Sequence, residues 1–190
     1  EGSVLTQYRS DFAGYGIALE GSIFAPSRWG DAGLLYPLNA QLMIAVFRLV
    51  DGDLLPGSKL LFPAFYACLL IGCFRFLRRH GATGVVAVGG MVLLGGTPIV
   101  FLHATMGYTN LMFTFYLVIG TLWCEEAAGE RNPRKAVIGG TLIALGIWTR
   151  PEGLTMSAAV LAGLCLSMLA TRRGLRQVLP AFIPPVVVGI

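Results

Sequence analysis

The chain has 190 residues, a mean hydropathy of +0.72, 55% hydrophobic residues and only 13% charged ones. A soluble domain covers its surface with about 25% charge, so this composition excludes a water-soluble globule, and so much apolar sequence excludes disorder. The net charge of +4 does not indicate nucleic-acid binding, because the basic residues sit in short clusters between apolar runs, the pattern of membrane-flanking loops.

Taken in chain order, residues 1–33 are polar and mixed, with Asp11, Glu20 and Asp31, and read as a water-facing segment. Leu34–Val50 is apolar but opened by Tyr36-Pro37 and interrupted by Asn39, Gln41 and Arg48, which suits a helix lying flat in the interface. After the turn Asp51–Lys59, the strong run Leu60–Phe74, extended by Leu54, Leu55 and Leu77, ends in Arg75, Arg78, Arg79 and His80. Val85–Leu102 carries no charge and predicts one span. The link His103–Asn110, the run Leu111–Cys124 and the charged loop Glu125–Lys135 come next. Ala136–Trp148 and Leu154–Ala170 are split by Thr149-Arg-Pro-Glu-Gly153, and Thr171–Gln177 carries three arginines. Val178–Ile190 is a last, truncated run. With Glu1 at its start, the chain is expected to be an internal piece of a longer protein.

None of these runs alternates with period two, so they predict helices and not barrel strands. The expected fold class is all-α: a polytopic transmembrane bundle of about six spans over 54–190, preceded by an extracytoplasmic loop with interfacial helices over 1–53. Nine basic residues fall in three links: Arg75, Arg78 and Arg79; Arg131, Arg134 and Lys135; Arg172, Arg173 and Arg176. These links occur at every second connection, which predicts that they are cytoplasmic. The remaining links then face outside. With Leu34–Val50 flat in the outer interface, Asp11, Tyr15, Asp31, His103, Tyr108, Asn110, Arg150 and Glu152 share one extracytoplasmic face.

Asp11, four residues before Tyr15, could deprotonate an acceptor hydroxyl or hold a metal. Spacing alone leaves it open between that role and a solvated loop carboxylate. Arg150, beside Trp148 at interface depth, could fork onto a lipid-linked phosphate, or could pair with Glu152 to cap a short loop. His103 and Tyr108 flank the other outer link, as interfacial residues or as part of a site. Cys68, Cys73, Cys124 and Cys165 read as packing residues, and no zinc, nucleophile-elbow or phosphate-loop motif occurs. The pairs Gly89-Gly90, Gly95-Gly96 and Gly139-Gly140 read as sites of close helix packing.

The ordered set comprises Asp11 and Tyr15, Tyr36-Pro37-Leu38 through Phe47-Arg48-Leu49, a span ending Phe76-Leu-Arg-Arg79, Gly107-Tyr-Thr-Asn-Leu111, and Thr149-Arg-Pro-Glu-Gly-Leu154. Over residues 8–170 it resembles the GT-C membrane glycosyltransferases, which include protein O-mannosyltransferases and aminoarabinose transferases. The resemblance implies a sugar moved from a polyprenyl-phosphate donor to a lipid, glycan or protein hydroxyl, outside the cytoplasm. It implies a multi-pass integral membrane protein, of a bacterial inner or plasma membrane, with the bilayer as partner. Asp11 matches the family's acidic residue, a base or metal-side group. Tyr15, His103, Tyr108, Asn110, Arg150 and Glu152 would bind substrate. No cofactor is implied, although a divalent metal is compatible. Asn110 stands where relatives often carry an acid, and Asn cannot act as a base. The double proline common in the interfacial helix of relatives is missing, and the family's first span and distal domain are not in this piece. Two other classes fit the same polar face: a transporter or channel, and an inactive scaffold relative.

Overall fold

The computed structural model describes residues 56–106, 109–150, 152–170 and 179–189, together with Asn39, Leu42, Met43 and Val46. Among the described residues the architecture is all-helical, without a strand. The order is α1 (Pro56–Arg79), α2 (Gly84–Gly96), α3 (Pro98–Met106), α4 (Thr109–Glu130), α5 (Pro133–Ile147), α6 (Gly153–Ala170), a 3-10 turn (Leu179–Phe182) and α7 (Ile183–Gly189). Asn39, Leu42, Met43 and Val46 are also helical.

Local chemistry sets the boundaries. Helix α1 ends where Gly81 takes a φ of 85°, and the Ala82 N–H reaches back to the Leu77 carbonyl at 3.0 Å. That left-handed residue after the last turn satisfies carbonyls the helix leaves open. Helix α4 ends similarly. Arg131 adopts a φ of 54°, and the Asn132 N–H donates to the Ala127 carbonyl at 3.0 Å. Asn132 then caps α5 by accepting from the Arg134 N–H at 3.1 Å, with Pro133 in the first turn, where its missing N–H costs nothing.

Among the described residues two helices are long and apolar enough to cross a membrane, Leu60–Arg79 and Thr109–Glu130. A third span exists if α2 and α3 count as one, but they meet at an angle of 65°. The uncharged run Val85–Leu102 is therefore not one straight helix. Pro98 has no N–H to bond back to the preceding turn, and Thr97 becomes an extended C-cap. The expected run Leu111–Cys124 is in turn exceeded, since α4 continues through Glu125, Glu126 and Glu130. Residues 179–189 form a 3-10 turn and a short helix where one span was expected.

Helix α4 is central. Leu117, Cys124, Ala127 and Ala128 pack with Ala136 and Ile143 of α5 and with Leu161, Leu164 and Met168 of α6. On its other side Leu111 and Ile119 pack with Leu69 of α1 and Ala104 of α3. Helices α4 and α5 touch through glycine: a Cβ added at Gly120 would stand 2.8 Å from the Gly139 carbonyl oxygen. Of the three glycine pairs, Gly139-Gly140 packs against neighbours at both positions, whereas Gly89 and Gly96 face open space. Val85, Val92 and Leu93 of α2 and Leu166 and Leu169 of α6 are exposed. Helices that are apolar on their outer faces are stable where lipid replaces water.

Candidate functional site

Among the described residues the ion pairs lie at two ends of the helices. At one end Arg79 of α1 pairs with Glu126 and Glu130 of α4. Lys135 of α5 joins the same carboxylates at 3.1 and 2.7 Å, and its ammonium lies 5.9 Å from the Trp123 ring centre. His80 stands 3.7 Å from Glu125. Arg79 and Lys135 belong to the first two basic links, so these links meet at one end of the fold. Helix α5 then runs 15 residues away from that end, about 22 Å at 1.5 Å per residue.

At its far end α5 turns into α6 through Thr149–Glu152. The Thr149 N–H donates to the Gly146 carbonyl at 3.0 Å and the Gly153 N–H to the Arg150 carbonyl at 2.9 Å. Gly153 is needed here: a Cβ would come within 2.7 Å of the Gly146 carbonyl oxygen and of the Ile147 Cα. Thr149 is wholly buried, and its hydroxyl donates to the Leu145 carbonyl at 2.7 Å. With Thr149 and Gly153 buried, Arg150 is half-buried and Glu152 exposed. Arg150 and Glu152 form a two-point pair, Nε to Oε2 at 3.1 Å and Nη2 to Oε1 at 3.2 Å. The guanidinium hydrogen bond, reinforced by its positive charge, holds the Glu152 carboxyl below the usual carboxylate range.

That pair lines a cavity of about 510 Å3. Helix α3 contributes Ile99, Val100 and His103, helix α4 contributes Asn110, Leu111, Phe113 and Thr114, and α6 contributes Met156. The cavity is thus an apolar slot with four strongly polar side chains: His103, Asn110, Arg150 and Glu152. All four were singled out in the sequence, and the fold brings them to one cavity. His103 lies within α3, not in the link where it was expected, because that helix continues to Met106. The Thr114 hydroxyl is turned back onto the Asn110 carbonyl at 2.8 Å. Asp11, Tyr15 and Tyr108 lie outside the described residues. Among the described residues no group of three or more His, Cys, Asp or Glu could hold a metal ion.

Two residues of this region were read differently in the sequence. Asn39, taken as a polar interruption of Leu34–Val50, is 7% exposed. Its side-chain N–H donates to the Thr149 hydroxyl at 2.9 Å, and its backbone N–H to the Trp148 carbonyl at 3.3 Å. Met43, near the Tyr116 hydroxyl at 3.5 Å, follows one turn on. Asn39 therefore docks at the Arg150 end. Thr149 was noted only as a member of the Thr-Arg-Pro-Glu-Gly motif. A hydroxyl beside charged residues at the end of an apolar run was the available signal for a buried polar contact.

Comparison of the chain with protein-family models, curated proteins and solved structures finds no match. The chemistry therefore rests on the cavity itself. An arginine fork among mostly apolar lining residues suits a ligand with an anionic head and an apolar body. Asn110 and His103, both half-buried, also line the cavity.

Proposed function

We propose that this protein is a membrane glycosyltransferase of the GT-C kind, moving a sugar from a polyprenyl-phosphate donor to an acceptor hydroxyl on the extracytoplasmic side. The observation that carries the reading is the cavity: Arg150, Glu152, His103 and Asn110 among mostly apolar lining residues, at the opposite end of α5 from the Arg79–Lys135 cluster. Under the positive-inside rule the clustered end is cytoplasmic and the cavity end is not. In the proposed displacement Asp11 takes the proton of the acceptor hydroxyl. The acceptor oxygen bonds to the anomeric carbon while the carbon–oxygen bond to phosphate breaks, and its electron pair leaves with the phosphate. Arg150, with His103, stabilises the charge that develops there. Asn110 hydrogen-bonds the sugar but takes no proton.

The test is release of polyprenyl phosphate from a labelled donor by membranes bearing the full chain. Asp11→Asn is expected to abolish release with the protein still folded, and turnover near the parent level in that variant overturns the assignment. The bend between α2 and α3 favours a second reading, a transporter, since broken helices often build ion sites there. At this break, however, the Thr97 hydroxyl is bonded back to the Leu93 carbonyl at 2.9 Å and no charge is present. Solute flux without phosphate release would favour the transporter, and neither activity would favour an inactive relative.

A further inference from the structure

One donor edge of the Arg150 guanidinium, Nε and Nη2, already faces the two oxygens of Glu152. Both residues line the same cavity, so the carboxylate sits where an oxyanion would bind. The partners are held unequally: the Arg150 side chain is 22% exposed and that of Glu152 is 59% exposed. The arginine is held among the walls, while the glutamate can swing into solvent without losing a packed environment. Exposed pairs of this kind are weak, so exchange is easy. Glu152 also immediately precedes α6, where a displaced carboxylate remains favoured near the helix N-terminus. The remaining lining includes Ile99, Val100, Leu111, Phe113 and Met156, which would receive a chain and not an ion alone.

From this geometry we infer that Glu152 is a built-in competitor for the Arg150 fork, and that the cavity takes an amphiphile whose phosphate head displaces it. The inference rests on the glycosyltransferase reading only for the cavity being a ligand site. Within that reading Glu152 is a specificity-determining residue. It keeps Arg150 neutralised until a phosphate with an apolar body anchored in the slot competes for the fork. A free anion, lacking that anchorage, competes poorly.

The experiment measures binding without turnover, using the full chain in nanodiscs of neutral lipid with decyl phosphate, inorganic phosphate and a neutral decyl glycoside as probes. Decyl phosphate is expected to bind more tightly than either of the others. Glu152→Gln should tighten decyl phosphate about two- to fivefold, the strength of one exposed pair. Arg150→Gln should weaken it about tenfold or more, the range for a lost hydrogen bond to a charged group. In the Arg150→Gln background, Glu152→Gln should have no further effect, because the competitor has nothing left to compete for. Equal tightening in both backgrounds would show general charge repulsion and overturn the competitor role. Inorganic phosphate binding as tightly as decyl phosphate would overturn the amphiphile. The expected binding pattern in a chain that releases no polyprenyl phosphate supports this inference while overturning the transferase reading.

Discussion

The Asn39 amide donates to the Thr149 hydroxyl at 2.9 Å, joining residues 110 positions apart at the turn that presents Arg150. The same amide reaches the Leu145 carbonyl at 3.3 Å, and the Thr149 hydroxyl donates to that carbonyl in turn. The Asn39 amide N–H groups and the Thr149 hydroxyl thus all have partners in this buried knot, as burial requires. The contact docks Asn39 against the α5–α6 turn.

Thr149→Val removes the hydroxyl at nearly constant shape and leaves the buried Asn39 amide short of a partner. The expected loss is about 1–3 kcal/mol of stability. Thr149→Ser keeps the hydroxyl and should cost about 0.8 kcal/mol for the lost methyl group. Combining Asn39→Leu with Thr149→Val should cost less than the two single changes together, since no orphaned donor remains. Denaturant unfolding in detergent across the four variants checks the order.

The helix contact between α4 and α5 is equally specific. Gly120→Ala would push a methyl group to within 2.8 Å of both the Gly139 carbonyl oxygen and Ile143 Cγ1. Backbone has to move, and the expected cost is about 1–3 kcal/mol. Gly89→Ala meets nothing within 4 Å and should be neutral or stabilise α2 by about 0.5–1 kcal/mol, through the helix preference of alanine. Thermal melts of the two variants should move in opposite directions or differ sharply in size.

These two glycines also show what the sequence could and could not reveal. Apolar runs announced helices, because period and length are local properties. Which glycine meets a neighbour is not local: Gly89 and Gly139 sit in the same Gly-Gly pattern, but only Gly139 faces another helix closely. The limits of α4 escaped detection for a related reason. Glu125, Glu126 and Glu130 looked like a loop, but Arg79 and Lys135 from other helices offset two of those carboxylates and the helix continues. Pro98 is a readable breaker inside Val85–Leu102, because it has no N–H for the preceding turn. At the cavity, Arg150 and Glu152 were legible because charge at an apolar boundary is costly without a partner. The role of Asn39 was not legible, since its partner lies 110 residues away.

Acid should act on Glu152. Its folded pKa lies below the ordinary value of 4.5, because Arg150 donates to the carboxylate. Such a group adds stability above its unfolded pKa and loses it as pH falls through the lower, folded one. The stability of the parent chain should therefore fall faster than that of Glu152→Gln on acidification below about pH 4.5. The two curves should run parallel from pH 5 to 7. Paired denaturant titrations at several pH values read this difference directly, and raised salt should shrink it, as for any exposed pair.

Finally, the separation of charge along α5 predicts sidedness. Ala82 lies beside the Arg79 end, and Glu152 lies at the cavity end. Fifteen helical residues, about 22 Å, separate Pro133 from Ile147, which with the flanking turns approaches the roughly 30 Å hydrocarbon core. The basic end is expected to stay in the cytoplasm. In a background with Cys68, Cys73, Cys124 and Cys165 changed to alanine, a membrane-impermeant maleimide should label Glu152→Cys in intact cells. It should label Ala82→Cys only after permeabilisation. Asp11→Cys should behave like Glu152→Cys, because a proton acceptor has to share the compartment of the cavity. Labelling of Asp11→Cys with the Ala82→Cys pattern would remove Asp11 from the chemistry, whatever the cavity binds.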